Sequence, residues 1–241
     1  MPAKPSKSAS SFAPVAEPRS RDVSPAVQAI VRVLEEEIVV GVLHPRERLV
    51  EDDLMARFDQ KRHVVRQALQ ELEQQGLVQR KKNSGAQVRA LSAEEVVEIY
   101  ELRELLETTC LKKIALPVPP ARLAALMEAQ RAHRAAVKAN DPRAVFRANL
   151  AFHSALFALS GNGTLIEAIT EYARRTYPVR LSTLVSAEYL QRARDEHEQI
   201  IDALRQGDRD TLVRLGAAHL RPSRDTYLDT LRRLARMDAA A

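Results

Sequence analysis

The sequence predicts a mostly α-helical protein in two parts. An N-terminal helix-turn-helix is closed by a small β-hairpin, and a C-terminal antiparallel bundle of about six helices follows. Three observations predict this. Residues 51–89 read as helix, turn, helix and two short strand-like pieces. Residues 92–237 carry helical periodicity in lengths punctuated by Pro and Gly. The chain has only 7 glycines and few strand-like runs, which leaves little material for a larger sheet.

Taken in order, residues 1–22 are rich in Pro, Ser, Ala and Lys and read as a disordered tail. Ser24-Pro25 is an N-cap followed by Pro at the first helical position. Val27, Ile30, Val31, Leu34 and Ile38 form one helical stripe that ends at Gly41. Leu54 and Phe58 mark the inner face of the second helix. Val65, Leu69 and Leu72, at i, i+4 and i+7, mark that of the third. Gly76 stands where a helix stop favours a left-handed residue. Leu77-Val78 and Ala86-Val88 are the strand-like pieces, and Asn83-Ser84-Gly85 supplies the turn. The first domain is expected over 23–90 and the second over 91–237. Ser92 with Glu95 forms a capping box that opens the bundle. Its helices are expected over 93–116, 121–139, 142–159, 165–177, 187–206 and 208–237, with the last kinked or divided near Pro222.

A hydrophobic content of 45% against 29% charged residues fits a globular chain with ample core. Aromatics at 4% are too few for single-strand binding by stacked bases. Cys110 is the sole cysteine, so no intrachain disulfide can form, which fits a reducing cytoplasm. Its neighbours Leu105, Leu106, Leu111 and Ile114 predict a buried, inert thiol. No apolar run approaches the ~18 residues of a membrane span, and the N-terminus lacks the apolar core of a signal peptide. A cytoplasmic location with no membrane partner is expected.

Charge points to a partner. Residues 22–90 hold 11 basic and 11 acidic side chains and are neutral as a whole. Yet Arg57, Lys61, Arg62 and Arg66 gather at one helix start, and Arg80, Lys81, Lys82 and Arg89 gather on the hairpin. Local cations on a neutral domain suit phosphate contact. Arg62, His63, Arg66 and Gln70 project away from the Val65/Leu69/Leu72 stripe. This suits a recognition helix in a major groove, with the hairpin as a wing on the backbone.

These residues carry a resemblance. Residues 24–90 resemble the winged helix-turn-helix of GntR-type bacterial transcription regulators. The matching positions are Gly41, Arg46-Glu47-Arg48-Leu49-Val50-Glu51, Leu54, Arg62, Val65-Arg66, Ala68-Leu69, Leu72-Glu73, Gly76-Leu77-Val78 and the wing glycine Gly85. Where the family usually reads Ser-Arg-Thr-Pro-Val-Arg-Glu-Ala-Leu, this chain has Lys61-Arg62-His63-Val64-Val65-Arg66-Gln67-Ala68-Leu69. Both arginines stand, Lys61 replaces the Ser cap, and Asp59 is the substitute cap expected. The resemblance implies DNA contacts from Lys61, Arg62, His63, Arg66, Lys82 and Gly85. Asp52 falls where some relatives have a cationic contact.

The bundle contains His133, His153, His197 and His219. Asn149 and His153 are i, i+4 on one face, and three imidazoles from three facing helices could meet in the core, where they would suit a divalent transition metal such as Zn, Ni or Mn. Separations of 44 and 22 residues are weak evidence alone. Residues 92–236 also resemble the all-helical FCD effector domain of the FadR-type branch, on Asn149-Leu-Ala-Phe-His153, His197, His219 and the opening Glu101-Leu-Arg103-Glu-Leu-Leu-Glu107. The resemblance implies a metal held by Asn149, His153, His197 and His219, with Asn149 where Asp is commoner. It also implies a small carboxylate effector on that metal. Arg103 is the expected second anchor for the carboxylate, with an ion pair to Glu107 as the plainer role. His133 is expected at the surface, and Glu196 and Glu198 on other faces than His197.

Together these readings predict a ligand-responsive homodimeric regulator, a repressor, that binds a palindromic duplex operator. A nonspecific architectural DNA-binding protein is the first alternative. A metal-dependent hydrolase is the second, although no general base and no His-Glu-x-x-His motif accompanies the histidines.

Overall fold

The computed structural model describes residues 23–81, 85–184 and 186–238. Helix α1 (Pro25–Val39) starts where Ser24 Oγ accepts from the Val27 amide, and it buries Val27, Ile30, Val31, Leu34 and Ile38 as its spacing predicts. Helices α2 (Glu51–Phe58) and α3 (Arg62–Gln74) follow. Gly76, at φ 75°, turns the chain out of α3. Strands β2 (Val78–Lys81) and β3 (Gly85–Val88) pair antiparallel, with Val78 opposite Val88 and Lys81 opposite Gly85. A third strand, β1 (Arg48–Leu49), adds to the far side of β3 and gives the order β1-β3-β2. A two-residue strand has no period of its own, so the sequence shows only the hairpin.

The helical part begins at α4 (Ala93–Lys112), capped by the Ser92–Glu95 box in both directions. Helices α5 (Pro120–Ala139) and α6 (Pro142–Ala158) form a close antiparallel pair, with Asp141 capping α6. Then come α7 (Gly163–Arg175), a 3-10 turn at Tyr177–Val179, the short α8 (Leu181–Leu184), α9 (Ala187–Gln206) and α10 (Arg209–Asp238). Helix α10 is not divided near Pro222 and runs as one helix over Arg209–Asp238. The 165–177 helix starts two residues early and hands its last residue to the 3-10 turn, because Pro178 cannot continue an α-helix. Cys110 is buried, and burial pushes its thiol pKa up, as befits an inert core residue.

The two parts are not separate bodies. Phe146 and Tyr177 of the bundle, ring edge to face at 5.0 Å, belong to the same buried cluster as α1, α3 and the sheet. Glu35, Glu36 and Glu37 lock α1 in place: they pair with Arg174 and Arg147 of the bundle, both at 3.2 Å, and with Arg57 of α2. At the other end of the contact, Tyr227 Oη of α10 donates to the Leu91 carbonyl.

Candidate nucleic-acid interface and candidate metal centre

Helix α3 buries Val65, Ala68, Leu69 and Leu72. Lys61, Arg62, His63, Arg66 and Gln70 are left exposed. Acids from the first turn of α2 meet both arginines. Arg62 Nη2 donates to Asp52 at 2.6 Å, and Arg66 Nε donates to Glu51 at 2.9 Å. Exposed pairs of this kind contribute about 0–1 kcal/mol each, so a phosphate or base edge can replace them. They hold the guanidiniums against the helix while lowering the net charge of the face. Asp59 does not cap α3. It ends α2 in the left-handed region at φ 49°, and Lys61 at the α3 N-cap offers no side-chain acceptor. Gly85 carries φ 76°, which its place at the wing requires; a Cβ there would meet only the Leu49 carbonyl at 3.7 Å. Lys82, Asn83, Ser84 and the 1–22 tail lie outside the described residues.

In the bundle, α6, α9 and α10 bring His153, His197 and His219 together, with one ring nitrogen from each within 4.8 Å of the others. Asn149, one turn before His153, lines the same cavity. Outer partners set two of the tautomers. The Gln130 amide NH2 donates to the Arg194 carbonyl and to Glu198, so its Oε1 faces His197 Nδ1 at 3.0 Å as an acceptor. His197 therefore carries its proton on Nδ1 and leaves the buried Nε2 lone pair without a partner. Glu196 accepts from His219 Nδ1 at 2.6 Å and fixes that ring's orientation. Phe152 stacks on His197 at 3.7 Å and fixes the ring plane. Burial, and then the neighbouring His219, pushes the pKa values of His153 and His197 well below the ordinary imidazole value. Burial that keeps His153 and His197 neutral, and outer partners on His197 and His219, fit a divalent transition metal.

Two expectations change here. His133 is not at the surface: it is 1% exposed and 4.9 Å from the His197 ring, and burial lowers its pKa to about 4. The signal was present, because Leu126, Gln130 and His133 share the i, i+4, i+7 stripe of α5. Glu196 does not face away, since its carboxylate reaches the His219 ring. Arg103 lines the cavity, but its Nε and Nη2 go to Glu107 at 3.0 and 2.8 Å and its Nη1 to Thr176 at 2.9 Å. The expected ion pair to Glu107 is thus formed.

The winged arrangement and the helical bundle are shared with known proteins. Residues 98–222 match the FCD domain model, over half of the chain, and residues 26–88 match the model of bacterial regulatory proteins of the gntR family. The chain belongs to the GntR family of transcription regulators. It is 23% identical over 190 residues to the Nta operon transcriptional regulator of Aminobacter aminovorans, covering 78% of this chain and 88% of that protein. It is 24% identical over 196 residues to the transcriptional repressor RspR of Escherichia coli, covering 81% and 86%. A GntR regulator from Rhodococcus sp. RHA1 shares the fold at TM-score 0.73 and 24% identity, over 86% of this chain and 99% of that one. So does E. coli McbR/YncC, at TM-score 0.75 and 18% identity over the same shares. This GntR regulator thus joins a DNA-binding winged helix to an FCD domain, and the relatives named are regulators, not enzymes.

Proposed function

We propose that the protein is a cytoplasmic, homodimeric repressor whose helical domain, 91–237, senses a small organic acid through a bound divalent transition metal. Lys61, Arg62, His63 and Arg66 meet the operator from α3, and the wing, through Gly85 and Lys82, meets the backbone. A single recognition helix reads only a few base pairs, so two copies on a palindrome supply the specificity. Asn149, His153, His197 and His219 hold the metal. Three imidazole nitrogens on such an ion leave room for an effector carboxylate.

The observation that supports this reading is the trio of converging imidazoles, His197 buried and the other two half-buried, with Gln130 against His197 Nδ1 and Glu196 against His219 Nδ1. A hydrophobic core has no use for unpaired nitrogen lone pairs. The 3-10 turn offers a way out of the site: Arg180, which lines the cavity, directly follows it, and Tyr177 within it packs in the cluster that holds α1. Effector binding that shifts this turn changes the placement of the winged helices and so their fit to the operator.

The test is metal content of purified protein beside His153→Ala. About one transition metal per chain, lost in the variant, is expected. Protein that takes up no Zn, Ni or Mn after incubation would sink the metal reading, while operator binding would remain to be judged on Arg66.

A further inference from the structure

Arg180 has no ion-pair partner among the described residues, and its Nε atom is shut off from solvent without an acceptor. The other two arginines of the cavity are matched: Arg103 by Glu107 and Arg192 by Glu196, the latter at 2.7 Å. Tyr100, 2% exposed, lines the same wall, and its hydroxyl also lacks a partner. Thr183 and Ser223 add hydroxyls there, 3.3 Å from each other. Native proteins satisfy nearly all buried polar atoms, yet half-buried Arg180 keeps its shielded Nε without an acceptor. A cavity lined by such a guanidinium is suited to an anion that arrives from outside.

We propose that Arg180 and Tyr100 form a second anion subsite, so that the effector is a small organic dianion. One carboxylate belongs at the histidine end, and a second carboxylate or a phosphate belongs at Arg180. The histidine half rests on the metal reading above; the arginine half does not. Charge balance supports two anionic groups. The ligand set His153, His197, His219 and Asn149 is neutral, so a divalent ion there is not offset by its own ligands. Arg180 adds a further cation to the cavity, with no ion-pair partner among the described residues. A monoanion serves one end and leaves the other unpaired.

Arg180→Met, Arg180→Lys and, as comparator, Arg103→Met separate the possibilities by thermal denaturation. Without ligand, Arg103→Met is expected to lower Tm, because it strands buried Glu107. Arg180→Met is expected to leave Tm level or raise it, because it removes a charge that nothing matches. If Arg180→Met falls as Arg103→Met does, Arg180 is a structural residue and the proposal is overturned. Ligand arms then use propionate, succinate and phosphoglycolate at about 10 mM. Succinate or phosphoglycolate is expected to raise Tm at least twice as far as propionate, and which of the two prevails tells carboxylate from phosphate. Arg180→Met should lose that advantage and keep the small propionate shift; Arg180→Lys should retain part of it. Equal shifts for all three probes, no shift from either dianion, or dianion shifts unchanged in Arg180→Met each overturn the proposal. A dianion advantage that survives chelation and still needs Arg180 supports this subsite and tells against the metal alone.

Discussion

Gly216 lies one turn before His219 on α10, where that helix packs along α4. A Cβ at Gly216 would fall 2.2 Å from Leu111 Cδ1, although Leu111 Cγ stays at an ordinary 3.7 Å. Carbon atoms want roughly 3.5–4 Å, so the methyl must move by about 1.5 Å. Leu111 is 1% exposed, within the cluster that includes Ile200, Leu204 and Leu215, and cannot swing into water. Overpacking of this kind costs about 1–3 kcal/mol. Replacing a helical Gly by Ala returns close to 1 kcal/mol in propensity. Gly216→Ala is therefore expected to destabilise by roughly 1 kcal/mol, about 2–4 °C in Tm for a chain of this size. Urea denaturation of metal-free protein measures it. A cycle with Leu111→Ala supplies the control: the double variant should be more stable than additivity predicts by about 1 kcal/mol, since the new methyl enters vacated space. Gly216→Ala should also weaken metal uptake, because relief by a shift of α10 carries His219 with it. A variant at least as stable as the parent, with an additive cycle, would refute the packing argument.

Other outcomes follow from the same geometry. Arg66→Ala should weaken specific operator binding by about 1–3 kcal/mol if the guanidinium reads a base; competition binding at fixed salt checks this, and an unchanged affinity removes Arg66 from recognition. Its effect on stability should be small, since only an exposed pair with Glu51 is lost. Glu196→Ala removes the acceptor that orients His219 and should lower metal affinity about 10–100-fold in chelator competition; full affinity would mean that the ring needs no outer partner. Glu95→Gln should destabilise at neutral pH, because the Ser92 amide, and then Arg89, hold the Glu95 carboxyl below its ordinary value against a smaller push from burial. A lowered folded-state pKa gives stability that is complete above the unfolded value and lost as pH falls through the folded one. The gap between parent and variant should thus close below about pH 4, and a gap that persists there would rule out the charged cap as its source.

Much was legible because it is local. The stripe Val27/Ile30/Val31/Leu34/Ile38, the Val65/Leu69/Leu72 face, the Ser92–Glu95 box and the stops at Gly76 and Gly207 all follow from backbone geometry and helical period. A helix can be read from its own residues because its hydrogen bonds close within four of them. The histidines at 153, 197 and 219 were visible as residue types on helices that a bundle should face inward. Their convergence within 4.8 Å depends on how α6, α9 and α10 rotate about their axes, which no single helix specifies.

The sequence by itself determined where most helices lie, the Ser24 and Ser92 caps, the basic start of α3 and the two-part order of the chain. The tertiary structure alone decided what those residues face. It placed β1 on the wing, turned Glu196 onto His219, buried His133 beside His197, gave Arg103 to Glu107 and left Arg180 unmatched in the cavity. Apart from the Arg103–Glu107 pair, which lies within α4, these are decided by segments far apart in the chain. Periodicity says which side of a helix is inward, and only packing says which partner waits there.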